Sequence, residues 1–176
     1  MIALAKATDW VDAWLGRLCR GIVVLTMLAL LAVIGANVVA RYLFESGGIN
    51  EVGEIPELLF PWLIAAGIVL GVQRSAHIAV DFYSGKLGPR GKVAAIVFVN
   101  MVVFATYALL IGPVVEIAGI TADEHTPLLR LPRSIGFYSL LFGMAGTMWA
   151  SLAIAVRVVA HGAEAAPEFD PEESVT

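Results

Sequence analysis

The chain has 176 residues, of which 59% are hydrophobic and 15% charged, and its mean hydropathy is +0.85. That balance excludes a soluble globular domain of this length, because lipid must replace water around much of its surface. A net charge of −4 argues against a nucleic-acid partner, and the single cysteine, Cys19, excludes an internal disulfide framework.

Residues 1–20 read as an amphipathic segment lying at the membrane interface. At about 100° per residue, Leu4, Trp10, Val11, Trp14, Leu15 and Leu18 share one face, while Lys6, Asp9, Asp12, Arg17 and Arg20 share the other. Tryptophan rings suit the lipid headgroup level. From 21 to 160 the pattern predicts a four-helix membrane domain, all α, with spans near 22–42, 55–73, 93–115 and 134–157. Ile22 to Ala40 carries no charge and is long enough to cross a bilayer. The alternative of a cleaved signal peptide meets an apolar stretch longer than the usual ~7 to 15 residues.

Asn37 and Arg41 stand one turn apart at the end of the first span. Polar groups at that depth need partners. Two readings stand side by side: Arg41 snorkels to the headgroups, or it pairs with Glu54 across the short first loop. The second span opens on Glu54 and Glu57, where the helix dipole favours negative charge, and closes on Arg74, where it favours a cation. Trp62 lies in its first half, and Gly67 and Gly71 form a small-xxx-small pair of the kind that lets another helix approach closely in lipid. Pro56 and Pro61 fall in its first half.

His77 and Asp81 follow, one turn apart if that segment is helical. They invite a metal or proton-relay reading, but zinc needs three or four ligands and no second cluster offers them. A local His–Asp hydrogen bond ordering the end of the second helix is the simpler reading. The loop to Lys92 is basic, carrying Arg74, Lys86, Arg90 and Lys92 against Asp81. Eight of the eleven basic residues fall on the N-terminus, this loop and the tail, which places both termini in the cytoplasm.

The third span is interrupted by Asn100, Thr106, Tyr107 and Pro113, and Pro113 predicts a kink. Glu116 is expected at the membrane surface, and the loop through Asp123, Glu124 and His125 to Pro132 serves as a connector or touches a soluble partner. The fourth span offers Gly143, Gly146 and Ala150 as a stripe for helix packing. Residues 161–176 turn acidic and contain proline, with too little apolar surface to fold.

The chain carries no Walker loop, GxSxG, HExxH or CxxC motif, and no convergent set of charges within the spans. Enzymatic chemistry, a cofactor and a metal site are therefore not expected. Nor do the spans show the paired, interrupted repeats with which many secondary transporters build a midplane site. The residues describe an assembly subunit; the rival is a stand-alone small channel or exporter, which would need an intramembrane carboxylate.

Phe60, Trp62, Ala66 and Gly67, followed by Arg74, Ala76-His77-Ile78, Val80 and Asp81, resemble the DctQ-like small membrane subunit of tripartite ATP-independent periplasmic (TRAP) transporters. Asn37-Val38-Val39-Ala40-Arg41-Tyr42 with Phe44, the position of Glu54, and Thr126-Pro127-Leu128, Leu131-Pro132 and Tyr138 are similar to further parts of that family. The resemblance implies an inner-membrane scaffold for a large DctM-like permease subunit that holds the substrate and sodium sites. It also implies docking of a periplasmic DctP-like solute-binding protein that delivers an organic, often carboxylate-bearing solute. Carried over onto this chain, Asn37, Arg41, Glu54, Trp62, Gly67, Gly71, Arg74, His77 and Asp81 are the candidates for fold and partner contacts, beside membrane lipids.

Overall fold

A computed structural model describes residues 2–43, 50–74 and 88–166. In chain order these form α1 (Ile2–Leu43), a 3-10 turn (Asn50–Gly53), α2 (Glu54–Arg74), α3 (Pro89–Ile120), α4 (Ser134–His161) and a closing 3-10 turn (Ala163–Ala165). The protein is all-α: each of these four helices is long and apolar enough to cross a membrane. Among the described residues the only β pairing is an isolated bridge between His125 and Pro132. His77, Asp81 and most of the acidic tail lie outside the described residues.

The helices run further than the hydrophobic spans alone predict. The amphipathic segment and the first span are not two helices but one, 42 residues long. The physical reason is that no proline stands at the junction, and Gly16 and Gly21 each cost about 1 kcal/mol, far less than a proline. The 3-10 turn stands just ahead of α2, and α2 itself is helical from Glu54 through Pro61. Pro56 is accommodated because the N–H groups of a first turn have no intrahelical acceptor to lose.

α3 starts earlier than its apolar run. Gly88 precedes Pro89, whose fixed φ suits the first helical position, and Lys92 N–H closes the first turn on Gly88 O at 3.0 Å. It continues past Pro113 to Ile120, where Thr121 N–H and its hydroxyl both donate to Ile117 O, at 2.9 and 2.8 Å. α4 ends at Gly162: its N–H still donates to Val158 O at 2.9 Å, and its φ of 92°, open to glycine, turns the following chain out of the helix.

The chain divides into two compact units. One comprises Leu18–Gly67 and Leu110–Met144. Its buried apolar side chains include Cys19, Leu58, Ala65, Ala66, Ala118 and Met144. Here α2 and α4 pack closely. A Cβ added at Gly143 would stand 3.0 Å from the Ala65 Cβ and 3.3 Å from its Cα, so only glycine permits the approach. Trp62 and Phe142 extend the same contact, with ring centroids 5.8 Å apart and a 37° tilt.

The other unit comprises the described residues of Met1–Arg17, Ile68–Leu109 and Ala145–Thr176. Its core holds Ile96 of α3 against Ile154 and Val158 of α4, with Val72, Val93 and Ala163 packed around them. Ala150, Ala153 and Ala155 keep α4 slim, and all three are buried. Gly146 repeats the use of glycine: its Cβ would come within 2.7 Å of Val69 Cγ2.

Gly143→Ala must displace the Ala65 backbone, and overpacking of this kind costs about 1–3 kcal/mol. Its thermal midpoint in detergent is expected to fall by several degrees. Gly112→Ala, where a Cβ meets nothing within 4 Å, is expected to leave the midpoint in place or raise it. Equal losses at the two positions would contradict the close α2–α4 contact.

Candidate functional site

No group of three or more His, Cys, Asp or Glu side chains suited to a metal occurs among the described residues. The polar side chains that the helices bring together instead form two structural ties and leave several candidates facing outward.

The first tie fixes the loop between α3 and α4. Thr126 N–H donates to Leu131 O at 2.9 Å, Arg130 N–H to Thr126 O at 3.1 Å and Arg133 N–H to Glu124 O at 2.9 Å. The Thr126 hydroxyl accepts from Leu131 N–H at 3.1 Å, and Arg130 takes a φ of 51° to close the turn. Glu54, buried at the start of α2, holds this loop from beneath. Its Oε1 accepts from Leu128 N–H and its Oε2 from Leu129 N–H, each at 2.9 Å. Hydrogen bonds to an ionised carboxylate are the strong class, and here both donors are backbone groups already fixed by the turn.

This arrangement corrects the expected Arg41–Glu54 pair. Arg41 is exposed on α1, and both Glu54 oxygens are engaged by the loop. A rigid pair of N–H groups satisfies the carboxylate without the entropy loss of holding a long arginine side chain. Leu128 and Leu129 as the partners of Glu54 were not legible in the sequence, because backbone donors carry no residue-type signal. Nearby, Glu57 meets Arg133 at 3.4 Å, with both side chains about half exposed. Exposed pairs of this kind contribute about 0–1 kcal/mol.

The second tie joins α1, α2 and α4 within the other unit. Arg157 reaches Asp9 at 3.1 Å and Asp12 at 3.2 Å, while Gln73 Nε2 donates to Asp12 Oδ1 at 2.7 Å and to Asp12 O at 2.9 Å. Asp12 is well sheltered, at 15% side-chain exposure against 53% for Asp9, so its pairing is the less screened of the two. Gly16 makes room: a Cβ there would meet Gln73 Oε1 at 2.8 Å. On the sequence, Asp9 and Asp12 read as a solvated face; the available signal was the solitary Arg157 at the end of an otherwise uncharged span.

The other candidates divide by direction. Trp62 is half-buried against Phe142. Asn37 is half-buried on α1, and Arg74 is exposed at the end of α2. Gly67 and Gly71 are exposed, and a Cβ at either meets nothing within 4 Å. Phe60, Ile64 and Ile68 are exposed on α2 as well, between 46% and 53%. The two α2 glycines are thus not consumed by the chain's own packing, which uses Gly143 and Gly146.

Glu54→Gln replaces one acceptor by an NH2 that faces an N–H. Amide hydrogen exchange at Leu128 or Leu129 is expected to accelerate by roughly tenfold or more, whereas Glu57→Gln leaves both unchanged. Unchanged exchange in Glu54→Gln would show that the carboxylate does not hold the loop.

Residues 30–161 match the family described as "Tripartite ATP-independent periplasmic transporters, DctQ component". The chain is 38% identical over 149 residues, 81% of its length, to the uncharacterized protein y4mM of Sinorhizobium fredii, of which the match covers 26%. It is 27% identical over 85 residues, 48% of its length, to the sialic acid TRAP transporter small permease protein SiaQ of Vibrio cholerae, of which the match covers 49%. The match thus spans about a quarter of the first relative and about half of the second. No solved structure matches the chain. The family match over most of the chain, together with four membrane-length helices, establishes that the protein belongs to the DctQ component family of TRAP transporters, which are multi-pass inner-membrane proteins.

Proposed function

We propose that this chain is the scaffold of a sodium-coupled uptake system: it braces a large permease subunit in the membrane and helps dock a periplasmic binding protein that delivers an organic, carboxylate-bearing solute. The observation that carries this reading is how little of the apolar surface the chain covers with its own helices. In the most apolar stretch of α1 only 6% of the residues are buried, and in that of α3 11%, against 56% in α4. Leu25, Leu31 and Tyr42 of α1 and Phe98 and Leu109 of α3 all point outward. On α2 the open Gly67 and Gly71 allow a second helix to come close, where packing in lipid depends on small residues.

Lipid covers part of this surface. With the termini in the cytoplasm, as the basic residues predict, the loop held by Glu54 faces the periplasm and presents Leu128, Arg130 and Leu131 there, each exposed. Asn37, Arg41 and Arg74, together with His77 and Asp81, are the remaining candidates for contacts with the permease.

Purification of the tagged chain from its native membranes in mild detergent is expected to retain one large polytopic protein in near-equal amount. Gly67→Ile combined with Gly71→Ile is expected to lower that recovery at least severalfold while leaving the thermal midpoint of the isolated chain within about 2 °C, a shift of less than about 1 kcal/mol. A chain that purifies alone from every detergent, without a permease, would return the reading to a stand-alone channel or exporter.

A further inference from the structure

Outside both ties, four side chains hold buried polar atoms without a partner in the unit that contains Ile68–Leu109 and Ala145–Thr176: Asn100, Thr147, Ser151 and the ring Nε1 of Trp149. Asn100 is fully buried. Its Nδ2 donates to Ile96 O at 2.9 Å, which fixes the orientation of the amide, since the flipped form would set two acceptors against each other. That leaves the Asn100 Oδ1 buried with no partner in the protein, and the hydroxyls of Ser151 and Thr147 are in the same position. Ser151 is fully buried and Thr147 1% exposed. An orphaned acceptor or hydroxyl is costly anywhere away from water and more so at membrane depth.

The helix register puts two of them at one level. Ile96 clusters with Ile154 and Val158, and Val93 and Ala163 pack on the same cluster, so α3 and α4 run antiparallel here. One turn along α3 from Ile96 is Asn100, and one turn back along α4 from Ile154 is Ser151. Thr147 follows on the same face of α4, a further turn away.

We propose that Asn100 and Ser151 hold a buried water between α3 and α4. The water donates to Asn100 Oδ1 and exchanges a hydrogen bond with the Ser151 hydroxyl, with Thr147 the next polar group along the seam. A buried water typically makes about three hydrogen bonds to groups the protein leaves unsatisfied, and Asn100 and Ser151 supply two of them. Water fits better than a metal cation, because every group is neutral and no carboxylate stands in the seam to offset a buried charge. The bridge pins α3, a helix with little other buried surface, to α4.

A double-mutant cycle on the full chain tests this, read as thermal midpoints in detergent. Asn100→Leu and Ser151→Ala should each lower the midpoint, and the double variant should fall no further than Asn100→Leu alone, because it leaves neither orphan. Additive losses would overturn the proposal. Should the variants fail to fold, a high-resolution map of the unaltered chain decides: a density peak within hydrogen-bond reach of Asn100 Oδ1 and Ser151 Oγ supports the water, and direct contact between the two side chains overturns it. A midpoint raised by sodium chloride but not by choline chloride would overturn it in favour of a cation site.

Discussion

The close approach of α4 to α2 is the contact on which the rest of the structure depends. Lipid tails are as apolar as leucine, so helices in a membrane gain little from hiding hydrophobic side chains from one another. What holds them is van der Waals contact over a matched surface, and that contact grows as the backbones come nearer. In each unit a glycine of α4 supplies the opening, Gly143 against Ala65 and Gly146 against Val69. The buried alanines Ala150, Ala153 and Ala155 continue the slim surface of α4. It follows that α4 is the most enclosed helix, and that α1 and α3 keep most of their apolar side chains for other neighbours.

Electrostatics then fixes what packing leaves loose. Glu54 places a carboxylate under a turn whose N–H groups would otherwise lack acceptors, so the α3–α4 loop is tied to the head of α2. Arg157 and Gln73 converge on Asp12 and tie the amphipathic part of α1 to the ends of α4 and α2. Each tie joins groups that are distant in sequence but belong to one unit, and each uses bonds to a charged acceptor, about twice as strong as neutral ones. Through Asp12 the amphipathic segment is part of the protein's own framework.

Small residues serve two purposes in this chain, and the distinction bears on function. Gly143 and Gly146 are filled by the chain itself, whereas Gly67 and Gly71 remain open. The first pair builds the fold; the second leaves a helix face on which another helix can settle. The proposed scaffold role needs both, since such a chain must be stable enough to insert and incomplete enough to assemble.

The sequence by itself determined the class of the protein and the presence of four membrane-length helices, because uncharged runs of that length admit no other backbone that satisfies its own polar groups. It also made the roles of Glu54, the paired glycines and the α4 stripe visible as candidates, since charge at a helix start and small residues at helical spacing are local patterns. The joining of the amphipathic segment to the first span turned on a junction with Gly16 and Gly21 but no proline, too weak a break to part them. Only the tertiary structure decided that Glu54 bonds Leu128 and Leu129 and not Arg41, that Asp12 meets Arg157, and that one glycine pair packs inward while the other stays open. Those outcomes depend on which faces meet across distances of many residues, and on backbone donors that every residue type carries alike.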